Sequence, residues 1–100
     1  MLLGEHIRSL REQKQLLLRQ VAAAIAMDQA LLSKIERSER NATRQQIVSL
    51  ANFFQVDQAS LISQWWGEKI ASELAGEHFA TEALETAKAI LKTKQIVNQN

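Results

Sequence analysis

Gln29, Ala30, Ser33 and Lys34 recur at one- and four-residue steps after Asp28, so a helix starting there would put them on one side. Their chemistry suits base edges in a DNA groove. A glutamine pairs bidentately with adenine, a lysine donates to guanine, and an alanine meets a thymine methyl. Leu32 and Ile35 fall on the opposite side and mark the face that must be buried. Leu31 has two readings, a thymine contact or a core position. The surrounding stretch, RQVAAAIAMDQALLSKIERSE from Arg19 to Glu39, reads as two short helices with a three-residue break. Val21, Ala22 and Ile25 give the first helix its apolar side. Ala22, Ala23, Ala24 and Ala26 leave room for another helix to lie close. That is the pattern of a helix-turn-helix, whose second helix enters the major groove.

Other chemistries find little support. There is no cysteine, hence no disulfide and no thiolate metal site. His6 and His78 lie far apart in sequence and show no metal-ligand spacing. Neither a phosphate-binding glycine loop nor a G-x-S-x-G elbow is present. Ser33, Ser38 and Ser49 have no base beside them in the pattern. Glu82 and Glu85 read as solvated positions. No enzyme, cofactor or metal is expected.

The helices that must position the candidate face follow from apolar spacing and caps. Leu3, Ile7 and Leu10 predict a helix over Leu3–Lys14. The pair of short helices is expected over Leu18–Ala26 and Gln29–Arg37, the second capped by Asp28. Thr43-Arg44-Gln45-Gln46 is a capping box that opens a fourth helix burying Ile47, Leu50, Ala51 and Phe54. Asp57 caps a fifth helix carrying Leu61, Ile62, Trp65, Trp66, Ile70 and Leu74, either continuous or kinked at Gly67, with Gly76 as its stop. A sixth runs from about Glu77 to Lys94, with Ala80, Leu84, Ala87 and Leu91 as a heptad-like seam. Residues 96–100 are expected to fray. With no proline, three glycines and no period-two run, the fold class is all-α.

Charge is segregated. Residues 1–56 carry two Lys and six Arg against five acids, a net of +3, and the remainder carries four Lys against six acids, a net of −2. Two surfaces with different jobs would give this split, and so would chance. No apolar run approaches the ~18 residues that span a membrane, and MLLGEHIRSL is too short and too soon charged for a signal peptide. A cytoplasmic location is expected.

The order of elements, and the text LREQKQLLLRQVAAAIAMDQALLSKIERSERNATRQQIVSLANFFQVDQASLI, resembles the phage repressor/Cro-like (XRE) family of five-helix DNA-binding domains. Ser33 to Asn41 is especially close to the family's wording. The resemblance implies a DNA-binding domain at 1–62 and an extension at 63–100 consisting of a lengthened fifth helix and an additional C-terminal helix. It implies base contacts from Gln29, Ala30, Ser33 and Lys34, with Gln29 foremost. Phosphate contacts are implied for Arg37, Arg40, Asn41 and Arg44, and Arg11 with Glu36 are implied as an internal ion pair. Departures are also visible. Leu17 and Leu18 stand where a polar cap and an amide donor are usual. Arg19, a cation unfavourable in a helix's first turn, either answers a phosphate there or is an incidental surface charge. Ala26 and Ser38 replace glycines usual in the turn and after the recognition helix.

Trp65 and Trp66 are adjacent, hence about 100° apart on a helix. Either both enter the monomer core, or one does while the other covers the sixth helix or a second subunit, where Leu84, Ala87 and Leu91 would join it. The expected function is a sequence-specific transcriptional regulator that binds a palindromic operator in double-stranded DNA as a homodimer. The alternative is an antitoxin or a protein-binding helical adaptor that uses the C-terminal helices. The Arg37–Arg44 edge favours DNA; the apolar seam of the last helix fits either.

Overall fold

The computed structural model describes residues 1–98, and every regular element among them is helical. The elements are α1 (Leu3–Gln13), α2 (Leu18–Ala24), α3 (Gln29–Glu36), α4 (Arg44–Phe54), α5 (Gln58–Glu73) and α6 (Ala80–Asn98). The chain divides into two compact units, one at Met1–Lys69 and one beginning at Ile70.

In the first unit α3 is the hub and packs against both α1 and α2. Its Leu32 and Ile35 are buried with Ile7 of α1 and Val21 and Ala22 of α2. Ile47, Leu50, Ala51 and Phe54 of α4 and Leu61 of α5 complete the core. Each large apolar side chain removed from water contributes about 1.5–3 kcal/mol. The close approach of α1 to α3 depends on Gly4. A Cβ there would collide with the Ile35 carbonyl oxygen and sit 2.8 Å from that of Glu36.

Caps come from near and far. Asp28 accepts from the Ala30 N–H at 2.7 Å and opens α3. Thr43 and Gln46 exchange hydrogen bonds with each other's backbone and open α4. The Leu17 side chain offers α2 no acceptor, but Gln20 Oε1 accepts from the Leu17 N–H at 2.7 Å. At α1 the Leu2 side chain likewise makes no cap, and Glu68 of α5 accepts from the Leu3 N–H at 2.5 Å. The carboxylate thus stands at the positive end of the helix dipole, where a negative charge is favoured.

Helices α1, α2 and α3 are shorter than the apolar spacing suggests, ending at Gln13, Ala24 and Glu36. The reason is the way they stop. Gln15, Ala26, Ser38 and Gln55 have φ of 55°, 54°, 61° and 56°. After α2, the Met27 N–H reaches the Ala22 carbonyl and the Ala26 N–H that of Ala23. After α3, Glu39 reaches Lys34 and Ser38 reaches Ile35 in the same pattern. These are Schellman closures, which turn the chain through a left-handed residue. A side chain there costs roughly 1–2 kcal/mol. Ala26 is exposed, so losing its methyl sacrifices no packing. Ala26→Gly should therefore stabilise the protein by about 1 kcal/mol, net of the entropy glycine adds to the unfolded chain. A thermal melt checks this: a rise of about 4–8 °C is expected, and a fall would contradict the strain.

In the second unit α6 begins at Ala80 rather than near Glu77, because Glu77 folds back to accept from the Phe79 N–H at 2.8 Å. Gly76, with φ of 82°, precedes that turn. Every residue from Thr81 to Lys94 is exposed, Leu84 at 45% and Leu91 at 58%. The helix continues through Asn98, so the fraying expected from residue 96 is not seen to that point, and residues 99 and 100 lie outside the described residues.

Candidate nucleic-acid interface

The phase of α3 settles which of its side chains face water. Leu32, Ile35 and Glu36 are buried, so the opposite side is open. Gln29, Ala30 and Lys34 are exposed and Ser33 is half-buried at the edge of that face. Leu31 is half-buried and packs against the core cluster. The exposed face therefore offers an amide with donors and an acceptor, a methyl, a hydroxyl and an ammonium. That set can answer the donor and acceptor pattern of a major groove.

An ion pair fixes the far end of α3. Arg11 donates from Nε to Glu36 Oε2 at 2.8 Å and from Nη2 to Glu36 Oε1 at 2.9 Å. Its Nη1 donates to the Leu16 carbonyl at 2.9 Å. The side chains are 13% and 4% exposed. The hydrogen bond to Glu36 raises the Arg11 pKa above its ordinary value, against a smaller opposing effect of burial. One guanidinium thus ties α1 to α3 and to the loop before α2. The bidentate fork fixes orientation as well as distance.

The loop after α3 carries the basic edge. Arg37, Arg40, Asn41 and Arg44 are all exposed. Arg37 also meets Glu39 at 3.2 Å, with both side chains more than half exposed. Such a surface pair is worth about 0–1 kcal/mol and exchanges readily for another anion. Arg44 stands in the first turn of α4 and Arg19 in the first turn of α2, where neither helix has an acidic residue. Main-chain N–H groups at helix starts and adjacent cations together favour an anion such as a phosphate.

Trp65 does not lie where a subunit contact would need it. It is 9% exposed, and its indole N–H donates to the Ala42 carbonyl at 2.8 Å. The tryptophan thereby pins the loop that bears Arg40 and Asn41 and leads into Arg44 of α4, and only Trp66 of the two, 49% exposed, remains on the surface. The Lys69 ammonium lies 4.4 Å from the Trp65 ring centre and 5.1 Å from that of Trp66. Adjacent tryptophans in a sequence cannot show which one turns inward; the carbonyl partner decides it. Gly4 was silent for a related reason, although a glycine inside a helix, about 1 kcal/mol worse than alanine, already signals a close approach.

A family model for the helix-turn-helix domain matches residues 2–61. The chain belongs to that family. The matched span of this helix-turn-helix protein covers α1 to α4 and the start of α5, and so includes α3 and the basic loop. Membership implies DNA binding, with transcription regulation as its plausible use, and the family is typically non-enzymatic. No curated protein matches the chain. Among the described residues of the helix-turn-helix protein, no group of three His, Cys, Asp or Glu could hold a metal ion. No described helix is long and apolar enough to cross a membrane.

Proposed function

We propose that this helix-turn-helix protein is a sequence-specific transcriptional regulator of the phage repressor/Cro-like (XRE) type, acting in the cytoplasm as a homodimer on a palindromic operator. The observation that carries the reading is the exposed side of α3, with Gln29, Ala30 and Lys34 open to solvent while Leu32, Ile35 and Glu36 lock its back. In this reading residues 1–62 form the DNA-binding domain, comprising four helices and the first part of a lengthened fifth. Residues 63–100 provide dimerisation. Gln29, Ala30, Ser33 and Lys34 read bases. Arg19, Arg37, Arg40, Asn41 and Arg44 hold phosphates and set the register without reading sequence.

Selection from a randomised duplex library tests this. A two-fold consensus with half-sites about one helical turn apart is expected. Gln29→Ala should relax preference at one base pair per half-site, a change of about 1–3 kcal/mol in discrimination. Arg40→Ala should weaken all sequences alike and lower the salt dependence by about one counterion per site. Equal, sequence-blind losses from both substitutions would remove direct readout from the account. The exposed Leu84 and Leu91 of α6 support a second reading, in which an antitoxin or adaptor presents that helix to another protein. A chain that selects no duplex but captures a protein through α6 would favour it.

A further inference from the structure

We infer that Trp65 is a positioning residue for DNA binding, acting through the loop that carries Arg40 and Asn41. This role rests on the DNA-binding reading of that loop. It also adds a residue beyond the matched span of 2–61, though within the compact unit that ends at Lys69. Sequence-blind grip on the DNA backbone then depends on the second half of α5 as well as on the helix-turn-helix itself.

The loop between α3 and α4 is held at each end by its own neighbours. At one end the Glu39 N–H reaches the Lys34 carbonyl at 2.9 Å. At the other, Gln46 Oε1 accepts from the Thr43 N–H at 2.8 Å. Both ties are local. Among the described residues, the main chain of residues 40–42 makes one hydrogen bond, and the Trp65 indole N–H donates it to the Ala42 carbonyl at 2.8 Å. That donor belongs to another helix, 23 residues further along the chain. It is the polar tie between the middle of the loop and the body of the protein, and it is buried, with Trp65 9% and Ala42 7% exposed.

The bond acts on orientation. The Ala42–Thr43 peptide is planar. Trp65 holds its oxygen and Gln46 its N–H, so the plane is gripped from both sides. Arg40 and Asn41 run directly into that plane and inherit its direction. Without the indole N–H, the Ala42 carbonyl becomes a buried acceptor with no partner, an expensive state. Turning the carbonyl toward water relieves it and swings the residues beside it. A phosphate must then re-order the loop before Arg40 and Asn41 can hold it. Ordering the backbone of about one residue weakens binding roughly tenfold. The base-reading side of α3 is fixed separately, by Leu32, Ile35 and the Arg11–Glu36 pair.

Trp65→Phe keeps an aromatic ring in the core and removes the donor. Benzothienylalanine in place of Trp65 keeps the bicyclic shape and puts sulfur where the N–H was, so it carries the test if the smaller ring fails to fold. Binding of the whole chain to a labelled random-sequence duplex is measured at ~50 mM salt, at a temperature where thermal melts show each variant folded. Both variants should bind about tenfold more weakly than the unaltered chain. The deciding readout is coupling. In an Arg40→Ala/Asn41→Ala chain the same change at Trp65 should cost less than about twofold, because the loop has no contact left to position. In a Gln29→Ala chain it should cost the full tenfold or so. A residue that only stabilised the fold would cost the same in every background, and that result would overturn the inference. So would undiminished binding by the benzothienylalanine chain while Arg40→Ala still weakens it, an outcome that leaves the DNA-binding reading standing. No binding by the unaltered chain would overturn that reading and this role with it.

Discussion

Glu36→Ala lowers the stability of the protein by about 3–5 kcal/mol and its melting temperature by about 15 °C or more. The loss comes from what is left behind. Arg11, 13% exposed, keeps its charge but loses both carboxylate oxygens. It retains the Leu16 carbonyl, which cannot neutralise it. Because part of the guanidinium still reaches water, the lower end of that range is the better expectation. Arg11→Lys should also lose stability, since an ammonium cannot span both carboxylate oxygens and the Leu16 carbonyl in one plane. The double variant Arg11→Ala/Glu36→Ala should lose less than the sum of the single variants, the signature of a direct pair. Thermal melts by circular dichroism check all of these. An unchanged melting temperature in Glu36→Ala would remove the pair from the account.

Gly4→Ala should destabilise by about 2–3 kcal/mol, although alanine is the better helix former by about 1 kcal/mol. Packing wins because the added carbon would run into the main-chain oxygens of Ile35 and Glu36, and a backbone cannot swing aside like a flexible side chain. Helices α1 and α3 must separate, and Arg11 then draws away from Glu36. Gly67 of α5 provides the control. Nothing lies within 4 Å of a Cβ placed there, so Gly67→Ala should stabilise by about 1 kcal/mol. Opposite signs for the same substitution would locate the effect in the α1–α3 contact. A gain in stability from Gly4→Ala would contradict that contact.

Local chemistry was legible in the sequence, and contacts made at a distance were not. Asp28 and the Thr43–Gln46 box announce the starts of α3 and α4 because a cap bonds within three residues. Ile47, Leu50, Ala51 and Phe54 announce the buried side of α4 because helical spacing alone sets it. The exposure of Gln29 and Lys34 follows in the same way from Leu32 and Ile35. Helix ends were harder. The usual stop signal is glycine, and here Gln15, Ala26 and Ser38 hold the left-handed positions instead. The apolar pattern therefore reads one or two residues too far. The capping of α1 by Glu68 joins residues 65 apart, and the Trp65 bond to Ala42 joins residues 23 apart. Neither leaves a periodic trace. Trp65 consequently reads as one of two equivalent tryptophans, whereas it holds the loop that carries the basic edge.

The central claim is that the open side of α3 and the loop behind it engage duplex DNA. The most direct measurement is fluorescence anisotropy of a labelled random-sequence duplex titrated with the protein, first at ~50 mM salt and then at rising salt. The account predicts binding at low salt and a logarithm of affinity that falls linearly with the logarithm of salt. Arg19, Arg37, Arg40 and Arg44 would give a slope of about −3 to −4 per subunit. The absence of binding at low salt, or an affinity indifferent to salt, would contradict it.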